Sequence, residues 1–279
     1  MEDKYRDGKR KLDLRTEAIK KARLHLIDEY RGFVLINMIA YHAIWDLVYI
    51  FGVNWQWYKS DIGFYWQQWI CWSFILVSGF CWQMGRHPLK RGFMVYAGGV
   101  IISLVTMIAM PDSRVMFGIL TLLGSSMILM IPLDALCKNL LSKNIHFVIG
   151  AVSSFLLFLF AYPVNRGYLG FGENRILILP MEWYANGFTT YLGFDEARFF
   201  STDYFSIIPW FFLFVTGYFL YGVVFKRNEE YQKEDSLLVR YLQKSCCPLL
   251  GWIGRHSLLI YMMHQPVVYA VLWVLYKVF

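Results

Sequence analysis

The sequence is divided into apolar blocks of about twenty residues, and these blocks constrain the fold more than any other feature. The hydrocarbon core of a bilayer, about 30 Å thick, is crossed by about 20 apolar residues in helical form. Apolar types make up 57% of the 279 residues and charged types only 17%, against about 25% charged in an average soluble domain. We therefore predict an all-α, polytopic transmembrane helix bundle, which excludes a disordered chain, a coiled coil and most soluble enzymes. The blocks cover residues 32–51, 64–84, 92–110, 115–133, 145–164, 205–225 and 250–276.

Residues 165–204 fit two descriptions. Their apolar part, 176–194, is interrupted by Pro180, Glu182 and Gly187, residues that disfavour a continuous spanning helix. We expect either an extracytoplasmic loop with a short or re-entrant element, or a weak pair of spans. The prediction for the whole chain is therefore roughly seven to ten membrane-embedded helices.

The positions of the charges predict how the chain is oriented. Residues 1–31 carry ten Lys or Arg and seven Asp or Glu, and we assign them as a cytoplasmic N-terminal segment before a transmembrane domain over residues 32–279. With this orientation, 21 of the 27 Lys and Arg lie on the cytoplasmic side and 6 outside, as the positive-inside rule requires. The net charge of +7 is then an inner-leaflet feature. We expect an integral, multi-pass plasma membrane protein with no nucleic-acid partner.

Two titratable residues interrupt the first apolar block. His42 lies 11 residues after Arg31, about 16 Å along a helix, and is therefore near mid-membrane. Asp46 follows one turn later on the same face. A histidine with a carboxylate neighbour suits a general base, and polar groups at this depth are functional hypotheses. The alternative is a histidine hydrogen-bonded across helices, with Asp46 as an outer-leaflet anchor.

Five short motifs follow one another along the chain. They are Asp28-Glu-Tyr-Arg31-Gly32 with His42, Ser78-Gly79-Phe80, Phe117-Gly118-Ile119-Leu120, the block from Asp203 to Trp210, and the block from Gly254 to Pro266. In this order they resemble the heparan-alpha-glucosaminide N-acetyltransferase catalytic-domain family of polytopic membrane acyltransferases, and the resemblance covers about residues 24–275. Thr121 stands where bacterial members often have His, which leaves the substrate open, and Ser206 stands where Pro is common.

The resemblance implies transfer of an acetyl or other short acyl group from cytoplasmic acyl-CoA to a sugar amine or hydroxyl. His42 would act as general base or acyl carrier. Expected partners are acetyl-CoA as co-substrate, a glycan or amino-sugar acceptor and membrane lipid, and a homodimer is left open. We assign the site residues as follows: catalytic, His42 and Asp46; donor-binding, Arg31, Arg86 and Arg255; acceptor-binding, Asp203, Trp210, His264 and Asn37; family signature, Asp28, Gly32 and Gly118.

Each of these assignments has a structural alternative. The arginines, with Lys90 and Arg91 on the same side, also suit positive-inside anchors. Asp203 also suits a cap for a helix beginning near Phe205, and His264 a structural hydrogen bond beside Pro266. No metal-ligand spacing is present among the cysteines and histidines, so we expect no metal.

A transporter or permease for a sugar or lipid intermediate is the alternative function. Intramembrane His and Asp also serve proton relays, but such a protein would show an internal repeat with paired broken helices, and none is visible. A non-catalytic scaffold is the third class, and it would tolerate loss of His42.

Overall fold

The computed structural model describes residues 23–140, 144–230 and 237–278. Residues 1–22, most of the expected N-terminal segment, lie outside the described residues. The structure is 76% helical, as predicted for an all-α bundle. Its helices are α1 (His25–Tyr49), α2 (Asp61–Phe80), α3 (Pro88–Ala109), α4 (Ile119–Leu140), α5 (Asn144–Ala161), α6 (Gly187–Leu192), α7 (Ile207–Glu230), α8 (Leu237–Gln243), α9 (Pro248–Arg255) and α10 (Ser257–Val278).

Six segments within the described residues are long and apolar enough to cross a membrane, which confirms a multi-span chain. The predicted block 64–84 forms α2 and a following turn, but Gln67 and Gln68 make this 20-residue helix less apolar than the six. It packs between α1 and α7. The six segments are His25–Tyr49, Pro88–Ala109, Ile119–Lys138, Ile145–Arg166, Ile207–Phe225 and Ser257–Val278.

Residues 165–204 contain a short helix and no pair of spans, since no helix in them is long enough to cross a membrane. They contain an antiparallel hairpin, β1 (Tyr168–Phe171) with β2 (Asn174–Ile178), followed by the short α6. The Asn186 side chain accepts hydrogen bonds from the backbone N–H groups of Phe188 and Thr189. This capping explains why α6 begins at Gly187.

The predicted last block, 250–276, is divided into two helices, α9 and α10, with a break at His256. Gly254 of α9 allows this helix to pack closely against α1. A Cβ at this position would lie 1.8 Å from the carbonyl oxygen of Asp28 in α1, and a Cβ on Gly32 would lie 2.0 Å from that of Leu250. The two helix backbones therefore touch through glycine, as small residues allow between membrane helices. This contact holds α9 across the start of α1. It also explains why the signature position 32 is a glycine, since a side chain there would collide with α9.

The centre of the bundle is formed by α1, α2, α4, α5 and α7. Large side chains fill it, among them Leu35, Ile75, Leu122, Phe158 and Phe214, each essentially inaccessible to solvent. A second glycine contact joins α2 to α7, because a Cβ on Gly79 would lie 2.0 Å from the Phe214 carbonyl oxygen. Gly79 belongs to the Ser78-Gly79-Phe80 motif, so this motif also marks a close helix crossing. The core places α10 against α1, where the candidate site is found.

Candidate active site at the crossing of α1 and α10

Two histidines meet where α1 and α10 cross. The rings of His42 and His264 lie 4.9 Å apart between centroids. His42 is half-buried, and His264 is 8% exposed. The residues are 222 positions apart in the chain, so the fold brings together two groups that the sequence assigned separately, one as catalytic and one as acceptor-binding.

The hydrogen bond of His264 fixes which of its ring nitrogens carries the proton. Its Nδ1 contacts the carbonyl oxygen of Tyr261 one turn earlier. Because a carbonyl oxygen only accepts, Nδ1 is the donor, and the neutral ring keeps its lone pair on Nε2. Nε2 is buried and has no hydrogen-bond partner. The site therefore contains a buried imidazole nitrogen able to accept a proton or a hydrogen bond.

Asp46 contacts the residue that follows His264. The Nε2 of Gln265 donates a hydrogen bond of 2.7 Å to Oδ1 of Asp46, and Asp46 is fully buried. The other oxygen of each side chain, Oδ2 of Asp46 and Oε1 of Gln265, has no partner. Gln265 was not assigned from the sequence, although its place directly after His264 in the final motif was a signal.

Asp203 connects its own loop to the start of α4 and to Tyr261 of α10. Its Oδ2 accepts from the backbone N–H of Ile119 at 3.4 Å and from the hydroxyl of Tyr261 at 3.5 Å. A Cβ on Gly118 would lie 3.0 Å from this oxygen, which explains a glycine at the start of α4. Burial raises the pKa of Asp203 to about 6. Asp203 therefore accepts from the first N–H of α4, whereas the structural alternative had it capping the helix that begins near Phe205.

Asn37 and Trp210, two residues assigned to acceptor binding, make their contacts within the helix bundle. The Asn37 side chain donates to the Phe33 carbonyl oxygen at 2.9 Å and accepts from the Trp66 indole at 3.3 Å, so it links α1 to α2. Trp210 lies in an aromatic cluster with Phe158, Tyr162 and Phe205. The structure brings neither residue into contact with the histidine pair.

The assigned arginines have different surroundings. Arg31 donates a 2.6 Å hydrogen bond to the hydroxyl of Ser257, the first residue of α10. Arg86 and Arg255 are exposed. Asp28, a signature residue, pairs with Arg23 at 2.8 Å. Arg31 therefore also helps to position the helix that carries His264.

Arg91 was named from the sequence as one of several cations on the same side, and its guanidinium is partly buried. Its guanidinium lies over Gly85, where a Cβ would come within 1.2 Å of Nη1. Nη1 is buried without a hydrogen-bond partner. Arg91 and Arg31 are close enough to interact electrostatically. The pair thus forms a cationic region at the end of the bundle where α1 and α3 begin.

No group of three His, Cys, Asp or Glu side chains is arranged to hold a metal ion in the part of the chain that the structure describes. A cavity of about 210 Å³ adjoins the cationic region. Its lining is Trp82, Gln83, Gly85, Pro88, Asp134 and Lys138.

The fold and this site define a polytopic membrane protein with a pair of histidines in contact between its first and last long helices. The family model of the heparan-alpha-glucosaminide N-acetyltransferase catalytic domain matches residues 23–266. The chain belongs to this family, which makes it a membrane acetyltransferase by class. Neither a search of curated proteins nor a search of solved structures finds a match.

Proposed function

We propose that this protein transfers an acetyl or other short acyl group from cytoplasmic acyl-CoA to the amine or hydroxyl of a sugar on the opposite side of the membrane. The observation that carries the proposal is the contact between His42 and His264 inside the α1–α10 crossing. A family acetyltransferase needs a base within the membrane, and this crossing supplies two imidazoles. The proposal includes a plasma-membrane location with the N-terminus in the cytoplasm.

The donor binds at the cationic end of the bundle in this proposal. Acyl-CoA carries phosphate groups, and arginine binds phosphate through paired N–H donors. Arg31 and Arg91 line the entrance, while the exposed Arg86 and Arg255 attract the donor from solution. From Arg31 to His42 the path is 11 residues of helix, about 16 Å. The flexible pantetheine arm spans such a distance, so the thioester reaches His42 while the phosphates stay outside.

His42 acts on the acceptor at the end of this path. One of its ring nitrogens takes the proton from the acceptor amine or hydroxyl as the acceptor N or O bonds to the thioester carbonyl carbon. The carbon–sulfur bond then breaks, and the CoA sulfur leaves with the proton that His42 held. In the second route, a ring nitrogen of His42 first bonds to the thioester carbonyl carbon, the carbon–sulfur bond breaks, and CoA leaves as the thiol with the ring proton. The acceptor N or O then bonds to the carbon of this acyl-imidazole, the carbon–nitrogen bond breaks, and the acceptor proton returns to the ring. Both routes need His42 unprotonated.

The acceptor enters from the other end of α1, toward Asp203 and His264. Asp203 and the lone pair on His264 Nε2 are hydrogen-bond acceptors suited to the hydroxyl or amine groups of a sugar. Asn37 and Trp210 act indirectly, by holding α1 against α2 and by packing the start of α7. We assign them as supports of the acceptor region.

The test is a transfer assay with the full chain in lipid nanodiscs. Labelled acetyl-CoA is incubated with a panel of amino sugars and glycans, and label in the product is counted for wild type, His42→Ala and the control His146→Gln. His146 lines a groove formed by α4, α5 and α7, away from the crossing. Transfer by wild type and the control, with loss in His42→Ala, supports the proposal. If wild type neither binds acetyl-CoA nor transfers from it, the function is wrong. Full activity in His42→Ala refutes the site alone.

A further inference from the structure

The contact between Asp46 and Gln265 leaves a specific pair of atoms unexplained. One hydrogen bond joins Gln265 Nε2 to Asp46 Oδ1 at 2.7 Å. The two remaining atoms, Asp46 Oδ2 and Gln265 Oε1, are both buried oxygens without a partner. If Asp46 is ionised, both are acceptors, and neither can satisfy the other. Unsatisfied buried oxygens of this kind are costly, and most costly when one is charged.

We propose that Asp46 is a neutral carboxylic acid that forms a cyclic, two-bond pair with Gln265. A proton on Oδ2 would donate to Oε1, while Nε2 donates to Oδ1. One proton therefore satisfies both oxygens at once. The pair is a positioning device: it fixes α10 to α1 one turn beyond the histidine contact and adds no negative charge beside His42.

The surroundings of Asp46 support the neutral form. The titratable groups around it are His42 on its own helix, His264 on α10, and Tyr58 in the segment between α1 and α2, which lies within electrostatic range. His264 Nε2 is buried and has no acceptor for a second ring proton, which disfavours a cation beside Asp46. Among the described residues, no Lys or Arg pairs with Asp46 in an ion pair. An unpaired charge within a spanning helix is strongly disfavoured, and a carboxyl there keeps its proton instead.

Asp134 provides a matched comparison, since it is also a buried aspartate on a spanning helix. It forms a 2.6 Å ion pair with Lys138 and accepts from the Tyr218 hydroxyl at 2.7 Å. Both carboxyl oxygens of Asp134 therefore have a partner, one of them a cation. Asp46 differs from Asp134 because it has no cation and leaves one oxygen without a partner.

Infrared spectroscopy distinguishes the two states directly. The full chain in nanodiscs is measured at pH 7 in water and in heavy water, and the C=O stretch of a protonated carboxyl is followed in wild type, Asp46→Asn, Asp134→Asn and Asp203→Asn. We expect a band that shifts in heavy water, disappears in Asp46→Asn and persists in Asp134→Asn and Asp203→Asn. Identical spectra for wild type and Asp46→Asn would overturn the proposal.

A stability series gives a second, independent readout. Asparagine imitates the neutral acid, because its amide can donate to Oε1 and accept from Nε2 of Gln265. Thermal unfolding of Asp46→Asn is expected within error of wild type, while Asp46→Leu unfolds at a lower temperature. Equal destabilisation by the two changes would show that the charge, and not the cyclic pair, matters. Neither readout requires acyl transfer, so failure here and failure of the proposed function are separable.

Discussion

The Nδ1 of His264 is bonded to the carbonyl oxygen of Tyr261, while the hydroxyl of the same tyrosine contacts Asp203. One residue thus orients the imidazole from its backbone and contacts a carboxyl from its side chain. Because Asp203 also accepts a hydrogen bond from the N–H of Ile119, the start of α4 is connected to the first turns of α10. His264 is therefore connected through Tyr261 and Asp203 to the start of α4, an arrangement that favours a preorganised site.

We expect the two histidines to act together. His42→Gln and His264→Gln should each lower kcat by about 10²–10⁴-fold, the usual size of a general acid–base contribution. The double variant should be little worse than the more damaging single change, because residues that act as a unit are not additive. Steady-state kinetics with His146→Gln as control checks this. Fully additive losses would mean that the histidines work separately.

The Tyr261–Asp203 connection predicts a pH dependence of stability. Burial raises the pKa of Asp203 to about 6, above an unfolded value of about 3.9. The protonated form is therefore favoured in the folded state. Protonated Asp203 therefore contributes to the free energy of unfolding. The contribution is fully present below about pH 4 and is lost as the pH rises through about 6, with an upper limit of about 3 kcal/mol.

Thermal unfolding between pH 4 and 7 tests this sign. Wild type should lose stability across this range relative to Asp203→Asn, whose side chain does not titrate. Asp134→Asn serves as the control. The difference in unfolding temperature between this variant and wild type should not show the same dependence on pH. A wild type that gains stability relative to Asp203→Asn as the pH rises would contradict the assignment.

The helix contact through Gly32 and Gly254 predicts a strong effect of very small changes. Gly32→Ala and Gly254→Ala each place a methyl group about 2 Å from a backbone carbonyl oxygen, so α9 must move away from α1. We expect destabilisation of about 1–3 kcal/mol for each, as for other overpacked contacts. Gly187→Ala is the matched control, since nothing lies within 4 Å of its added Cβ. Thermal unfolding in detergent measures the difference, and equal values for all three variants would rule out the contact.

The sequence predicted the fold to the extent that it depends on local composition. Apolar blocks predict the spans. His42 was assigned from the first block because polar groups are costly at that depth, and the structure places it against His264. The break at His256 was missed, although Arg255, His256 and Ser257 interrupt the apolar block at this point. The close approach of α9 to α1 depends on Gly254 meeting Asp28, a contact between distant parts of the chain. Local pattern carries no information about such a contact.

The partners of polar side chains were predictable only in part, for the same physical reason. The structural alternative for Asp203 was a cap for a helix near its own position, but Asp203 contacts Ile119, 84 residues away. Trp210 was assigned to the acceptor from its motif, but its ring is used in packing. Gln265 was overlooked although it contacts Asp46. A motif indicates that a residue matters, whereas the fold decides what it touches.

The guanidinium of Arg91 over Gly85 predicts a donor-specific defect. Gly85→Ala displaces Nη1, because the added methyl group would lie 1.2 Å from it. Arg91→Lys keeps the charge but loses the fork of donors that suits phosphate. Both changes should raise the KM for acetyl-CoA roughly tenfold or more, the size of about one charge-assisted hydrogen bond. The kcat should change little, since the reacting atoms are far along α1.

The matched control is Lys90→Gln, which removes a neighbouring but exposed cation. Its effect on KM should be small at low salt and vanish at about 0.15 M salt, where exposed charges are screened. The defect of Arg91→Lys should persist at that salt concentration, because its guanidinium nitrogen is buried. Initial rates over a range of acetyl-CoA and salt concentrations separate the two. If Lys90→Gln and Arg91→Lys respond identically to salt, Arg91 is an inner-leaflet anchor and takes no part in donor binding.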